Sequence, residues 1–292
     1  MEAGVPDTGF LVSGVLSMQL QLGSARLELS RPLVMGVLNR TPDSFSDGGA
    51  YTDLGAALVH ARAILDEGAD ILDVGGESTR PGAAPVLADE EIKRVIPLVE
   101  QLVGEFGARV SVDTSKPEVM RAAIKAGAVM INDVYALRQP GALEAVAGSA
   151  VAVCLMHMQG EPRSMQKAPR YTDVTAEVGE FLLGRAAACT AAGIVRERIV
   201  LDPGFGFGKT LEHNLTLLRR LPELAHYGYP LLAGLSRKSM LGTLLGGKPA
   251  DQRLHISVAA AVTATLNGAN ILRVHDVGAT VDALKLISAL RA

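Results

Sequence analysis

The chain has 292 residues, 48% of them hydrophobic, with 28 basic and 31 acidic side chains. That length suits one large α/β domain, and a net charge of −3 excludes the basic excess of a nucleic-acid footprint. No apolar run approaches the ~20 residues a membrane span needs, and two cysteines with no disulfide spacing make the cytoplasm the expected compartment.

Residues 1–17 carry Glu2 and Asp7 but no Lys or Arg, unlike a secretory leader. They lack periodicity and read as a flexible segment ahead of one domain over 18–292, with Met18 as an alternative start. Met18-Gln19-Leu20-Gln21-Leu22 alternates apolar and polar, Gly23-Ser24 follows, and Ala25-Arg26-Leu27-Glu28-Leu29 alternates again. This pattern predicts a β-hairpin with a two-residue, glycine-first turn.

Short apolar runs then recur at 33–38, 71–74, 109–112, 129–131, 151–156, 199–201, 231–235 and 271–274. Each is bounded by turn residues and rich in Val, Ile or Leu, as strands buried on both faces are. Helical stretches such as 54–67 and 116–125 lie between them. Gly68, Gly127, Gly193 and Gly268 stand where four such helices should stop, because glycine closes a helix in the left-handed conformation at no steric cost. Eight βα units in one chain point to a (β/α)₈ barrel, with an open doubly wound sheet as the alternative. Cys154 and Cys189 sit in apolar or Ala-rich runs with no disulfide or zinc spacing, and read as buried thiols.

In a barrel, functional side chains gather where strands end. The runs end at Asn39, Asp73, Asp113, Asn132 with Asp133, His157, Asp202, Ser236 to Lys238, and His275 with Asp276. Helix capping accounts for part of this list. Ser236-Arg237-Lys238-Ser239, Arg273, His275, Asn39 and Arg40 come from three strands that barrel closure makes neighbours. They suggest an anion site, phosphate being the usual ligand at that rim; the alternative is a solvated cluster paired with Asp276 or nearby acids. Asp113, Asn132 and Asp202 suit a ligand rich in N–H donors, such as an aminopyrimidinone ring, although metal ligation and sugar chemistry remain open. Two such carboxylates need a compensating cation, and Lys238 is the candidate.

The run from Asp202 to Lys209, DPGFGFGK, lacks nucleotide-loop spacing and reads as a tight βα loop. Residues 43–49 are polar and glycine-rich, the composition of a closing lid or of an ordinary surface loop. His157 has no histidine partner at helical spacing, so it reads as a packed histidine rather than a zinc ligand. Met156 reads as a wall against a flat ring.

Together these runs resemble the dihydropteroate synthase family. The first signature is similar to 38–49, LNRTPDSFSDGG, and the second to 73–82, DVGGESTRPG. Ser111-Val112-Asp113-Thr114, Ile131-Asn132-Asp133, Leu201-Asp202-Pro203-Gly204, Ser236-Arg237-Lys238-Ser239 and Arg273-Val274-His275-Asp276 also match, in order, from about Met18 to the C-terminus. The resemblance implies a barrel that joins (7,8-dihydropterin-6-yl)methyl diphosphate to 4-aminobenzoate, a step of folate biosynthesis. It implies that Asp113, Asn132, Asp202 and Lys238 hold the pterin, with Met156 and Phe207 lining it and Arg273 stacked on it. Asn39, Arg80, Arg273 and His275 would hold the diphosphate, with Asn39 on Mg²⁺. Thr79, Pro81, Phe207 and Ser236 would shape the aminobenzoate site. Asp113, Asp202, Lys238, Arg273 and His275 would carry the catalysis.

Sulfonamides, which mimic 4-aminobenzoate, would then compete with it. Arg40 departs from the family, which usually has Val there, and is expected to point outward without effect. The stretch 256–266 is apolar nearly all round, as a helix buried on more than one side is, and the family's usual homodimer would place it in an interface. Two other readings stay in view. A methyltetrahydrofolate-dependent methyltransferase would share the acid–amide–acid pocket but has no use for the anion-binding runs. A non-catalytic pterin-binding paralogue would usually have lost loop or anion residues, and none is missing here.

Overall fold

The computed structural model describes residues 18–39, 50–78, 85–161 and 164–291. An antiparallel pair, β1 (Gln19–Leu22) and β2 (Ala25–Glu28), comes first. Eight parallel strands follow: β3 (Leu33–Asn39), β4 (Ile71–Gly75), β5 (Val110–Asp113), β6 (Met130–Asp133), β7 (Ala152–Met156), β8 (Ile199–Asp202), β9 (Leu232–Ala233) and β10 (Ile271–Val274). Around them run α1 (Ala50–Asp66), α2 (Ala88–Gly104), α3 (Pro117–Lys125), α4 (Ala142–Ala147), α5 (Val174–Ala191), α6 (Leu211–Arg219), α7 (Leu221–Ala225), α8 (Ser239–Leu244), α9 (Leu254–Leu266) and α10 (Val277–Arg291).

The strands pair in the order β8-β7-β6-β5-β4-β3-β10-β9, and a parallel bridge between Leu201 and Leu231 closes the ring. The expected barrel is therefore the one formed, with a separate hairpin before it. The hairpin turns at Gly23, φ 59°, and its Leu20 and Leu22 are buried in the barrel's lower core with Leu33, Met35, Ile71, Met130 and Ile271. Residues 1–17, for which a flexible segment was expected, lie outside the described residues.

The helices begin and end for local reasons. Asp173 caps α5 by accepting from the N–H groups of Thr175 and Ala176 at 2.9 and 3.1 Å. Pro117 stands in the first turn of α3, where its missing N–H is not needed. Gly68, Gly127, Gly193 and Gly268 take φ of 100, 99, 90 and 102°, the left-handed stops expected of them. The apolar run 231–235 yields only the two-residue β9. Pro230 offers no N–H to the ladder at its entry, and its carbonyl serves Leu201 N instead.

Alternation along each strand positions the site. Inward residues lower in the barrel are apolar: Met35, Ile71, Met130, Val200, Leu232 and Ile271. Two residues on, the same inward face carries Val37, Asp73, Asn132, Asp202, Gly234 and Arg273, because side chains repeat every second residue. Outward residues such as Val34, Leu38, Leu72 and Val112 pack under the helices.

Gly36 faces outward from β3 at a close approach. A Cβ there would collide with Ile64 Cγ2 of α1 and lie 3.2 Å from Val277 Cγ2 of α10. Gly36→Val is expected to lower stability by ~1–3 kcal/mol through overpacking. Urea unfolding followed by circular dichroism would read this as a lower midpoint with an unchanged slope; an unchanged midpoint would show that the two helices can move apart freely.

Candidate active site

The inward polar layer converges at the C-terminal mouth of the barrel. Asp113 ends β5 and is in register with Asn132 of β6, while Asp202 ends β8 in register with Met156 of β7. Arg273 reaches across from β10. Its Nε donates to Asp73 Oδ2 at 2.6 Å and its Nη2 to Asp113 Oδ2 at 3.0 Å. Asn132 Nδ2 donates to the same Asp73 oxygen at 3.2 Å. Asp73 is fully buried, and its Oδ1 has no hydrogen-bond partner.

Sequence reasoning named Asp73 only as a strand end and gave it no role. Its signal was present: an acid in the apolar run of β4, two residues beyond an inward isoleucine. Sequence reasoning also chose Lys238 as the cation for the acid pair. The geometry divides that role: Arg273 is the direct partner of Asp113, while Lys238 is the cation that most opposes the burial of Asp202. Lys238 also donates to the Phe205 carbonyl and holds its Nζ 4.5 Å from the centre of the Phe207 ring.

Burial dominates the electrostatics. It pushes the Asp113 carboxyl up to about 7; Arg273 pulls it down, while Asp73, Glu91 and Asp133 push it further up. Asp202 is likewise raised by burial, against the opposing pull of Lys238 and the Gly204 N–H. The latter donates to Asp202 Oδ1 at 2.7 Å. Burial lowers Lys238 to about 8, with Asp202 opposing it. Arg273 behaves oppositely: burial acts to lower it, but Asp73 and Asp113 outweigh burial and hold it above the usual arginine range.

The glycine-rich loop after β8 is stapled rather than open. Lys209 is buried, and its amine donates to the carbonyls of Gly204 at 2.9 Å, Phe207 at 3.1 Å and His157 at 3.4 Å. It also lies 3.0 Å from His157 Nδ1. Burial and the neighbouring Lys209 hold His157 near 3, so it stays neutral and accepts from the lysine. The packed-histidine reading therefore holds, and Lys209 is no phosphate lysine. Gly204 takes φ 68°, and a Cβ there would run into the His157 carbonyl. The stapled loop sets Phe207 beside Met156, with Val134, Met158 and Met165 behind them, as one apolar wall of the mouth.

At the opposite rim, His275 N donates to Ser236 Oγ at 3.2 Å, and His275 Nδ1 lies 3.1 Å from the same oxygen. Arg237 turns away, at φ 58°, and pairs with Asp276. Arg237 thus takes the Asp276 pairing of that alternative, and Arg273 pairs with other acids, Asp73 and Asp113, inside the barrel. Asp133 is a local cap, accepting from Tyr135 N at 2.8 Å and Leu137 N at 2.7 Å. Asn39 is half-buried at the end of β3; a Cβ on Gly75 would lie 3.2 Å from its Oδ1 and 3.7 Å from Asp113 Cβ.

Among the described residues no three His, Cys, Asp or Glu side chains gather to cage a metal. A lone amide oxygen still fits Mg²⁺, which takes few protein ligands and keeps water and phosphate oxygens for the rest. Thr79, Arg80, Pro81, Arg40 and the 43–49 loop lie outside the described residues. The expected residues that are described, Asn39, Asp113, Asn132, Met156, Asp202, Phe207, Ser236, Lys238, Arg273 and His275, stand on strands or βα loops at one mouth. No helix among the described residues is long and apolar enough to cross a membrane.

The family model described as pterin binding enzyme matches residues 35–275. The dihydropteroate synthase of Escherichia coli K12 is 54% identical over 272 residues, covering 93% of this chain and 96% of that protein. The solved structure of Xanthomonas albilineans dihydropteroate synthase with 4-aminobenzoic acid has 55% identity and a TM-score of 0.89, covering 94% of this chain and 99% of its own. That of Burkholderia cenocepacia dihydropteroate synthase complexed with 7,8-dihydropteroate has 52% identity and a TM-score of 0.86, covering 94% of this chain and 96% of its own.

Ionised Asp113 accepts ring N–H groups at both oxygens and more strongly than the protonated acid, and its ionised fraction grows as pH rises through about 7. Above about 8, Lys238 loses its proton. The affinity of a 2-amino-4-oxopteridine probe, read by fluorescence titration, is therefore expected to peak between these values, and Asp113→Asn should flatten the acid limb. An affinity that stays level across both values would contradict this assignment.

Proposed function

We propose how this site works from one premise: the chain belongs to the pterin-binding enzyme family, among its dihydropteroate synthases. It is a transferase that condenses (7,8-dihydropterin-6-yl)methyl diphosphate with 4-aminobenzoate to give 7,8-dihydropteroate and diphosphate. The observation that carries the reading onto this chain is the convergence of Asp113, Asn132, Asp202, Lys238 and Arg273 on one barrel mouth. Two carboxylates, an amide and two cations there match a ring with several N–H groups and a charged tail.

The bond broken is carbon–oxygen at the pterin methylene, so the reaction is alkyl transfer. The electron pair leaves with the diphosphate, and positive charge develops on the pterin. Asp113 and Asp202 stabilise that charge from the ring side, in a buried setting where fixed charges act strongly. Met156 and Phe207 cover the ring faces. Arg273 and His275, with Asn39 and Arg80, take up the charge on the leaving diphosphate. Mg²⁺, held by Asn39 and the diphosphate, would supply further neutralisation there. The amine of 4-aminobenzoate, placed by Thr79, Pro81, Phe207 and Ser236, gives its lone pair to the methylene carbon, and its proton passes to water. No general base is needed, because the carbon under attack is already electron-poor.

A homodimer and a cytoplasmic setting complete the reading. The support for the dimer is α9. Its Ser257, Ala260, Ala261, Ala264 and Thr265 are buried in the fold, while the other side presents Val258, Ala259, Val262 and an exposed Leu266. An apolar strip of that kind marks a contact surface. Sedimentation at micromolar protein is expected to give a dimer, and Leu266→Lys to shift it towards monomer; a wild-type monomer would contradict the assignment.

The testing experiment is diphosphate release with Mg²⁺, with and without 4-aminobenzoate. Release that depends on 4-aminobenzoate, with dihydropteroate formed, is expected; ring binding without release would favour the non-catalytic paralogue. Asp113→Asn should keep the fold and lower turnover at least about 100-fold, the scale of losing one preorganised electrostatic partner.

A further inference from the structure

The mechanism above leaves one buried charge unused. Asp73 sits one inward layer below the mouth: it is in register with Ser111, whereas Asp113 is level with Gly75, two residues further along β4. It touches no open space, being fully buried. Its Oδ2 takes both the Nε edge of Arg273 and the amide of Asn132. A carboxylate buried this deeply is costly to keep ionised unless a cation meets it directly, and a fold needing only packing would place an apolar residue there. Ile71, two residues earlier on the same face of β4, is such a residue.

The arrangement of the guanidinium suggests the reason. Its Nε edge is committed to Asp73 at 2.6 Å, and its Nη2 corner to Asp113 at 3.0 Å. Asp73 lies one layer deeper than Asp113 and is fully buried. Asp113 lies at the mouth, where ligand N–H groups can replace the arginine. The two contacts therefore differ in permanence although one side chain makes both. If both broke together, both carboxylates would lose their cation at once. If only the Nη2 contact breaks, Arg273 stays anchored and Asp73 stays neutralised, while Asp113 is released to accept from the ring.

We propose that Asp73 is a positioning residue, the permanent partner of the Arg273 Nε edge about which the guanidinium exchanges Asp113 for the diphosphate when substrate enters. This rests on the dihydropteroate synthase reading. The same carboxylate orients the Asn132 amide, so ring recognition and leaving-group neutralisation are set through one buried group. Lysine would not reproduce the pivot, because its donors share one nitrogen and cannot keep one edge fixed while another corner changes partner.

The primary test is arginine-selective ¹⁵N NMR of the full-length protein, with Arg273→Lys to assign the signal. A pterin together with inorganic pyrophosphate and Mg²⁺ is the probe. The Nε–H of Arg273 should stay hydrogen-bonded and protected while its Nη signals move. Loss of the Nε signal, or no movement at Nη, overturns the proposal.

The second test is a kinetic cycle. Asp73→Asn keeps the shape and an acceptor but removes the charge. It should lower kcat/KM for the pterin diphosphate by about 10- to 100-fold, the scale of losing one hydrogen bond to a charged group. KM for 4-aminobenzoate should stay within about twofold. Asp73→Asn combined with Arg273→Lys should be no worse than Arg273→Lys alone, since coupled groups are non-additive. Effects that multiply, or equal losses for both substrates, would leave Asp73 a structural residue only. A wild-type chain that made no dihydropteroate would remove the functional reading, while the NMR measurement would still decide the pivot.

Discussion

Arg273 is one guanidinium shared by a fully buried carboxylate and a partly buried one at the mouth, and the site depends on it. Asp73 and Asp113 sit on neighbouring strands of one closed sheet. Without a cation between them, two like charges would face each other in a poorly solvated interior. Buried ion pairs of this kind rarely add net stability over a well-packed apolar cluster, but losing one partner is costly, because the remaining charge is stranded. The cluster is therefore best understood as preorganised charge kept in the core for chemistry.

The barrel is what makes that preorganisation possible. A side-chain period of two turns each strand into a column that is apolar below and polar above. Met35, Ile71, Met130, Val200 and Ile271 fill the lower interior with help from the hairpin leucines, and the next inward positions carry the polar layer. The stapled loop completes the wall. Lys209 spends its amine on backbone carbonyls and a neutral His157, which holds the loop closely enough that Gly204 has no room for a side chain. Rigid strands and a pinned loop thus hold charge and apolar surface around one space, the condition under which fixed dipoles and charges stabilise a developing cation and a departing anion.

Much of this was legible in the residues. Strand runs, hairpin and helix-stop glycines follow from local rules, since period two, turn chemistry and left-handed glycine act over a few positions. The acid–amide–acid set could be read because strand ends of a barrel share one rim. The hidden part is long-range. Arg273 meets Asp73 across 200 positions, and nothing local distinguishes that pairing from the expected Lys238 with the acids. The capping roles of Asp133 and the pairing of Arg237 with Asp276 were equally hidden, since the direction a strand-end side chain takes depends on neighbours that only the closed sheet supplies. Strand β9 shrank to two residues because pairing partners, and not apolar content, decide ladder length.

The central claim is that this one mouth is a pterin pocket built on charge held by Arg273. A crystal structure of the chain with 7,8-dihydropteroate tests it most directly. The account predicts the pterin ring within hydrogen-bonding distance of Asp113, Asn132 and Asp202, between Met156 and Phe207, with Asp113 no longer bonded to Arg273. A ring bound elsewhere, or one lying over an intact Arg273–Asp113 pair, would contradict it.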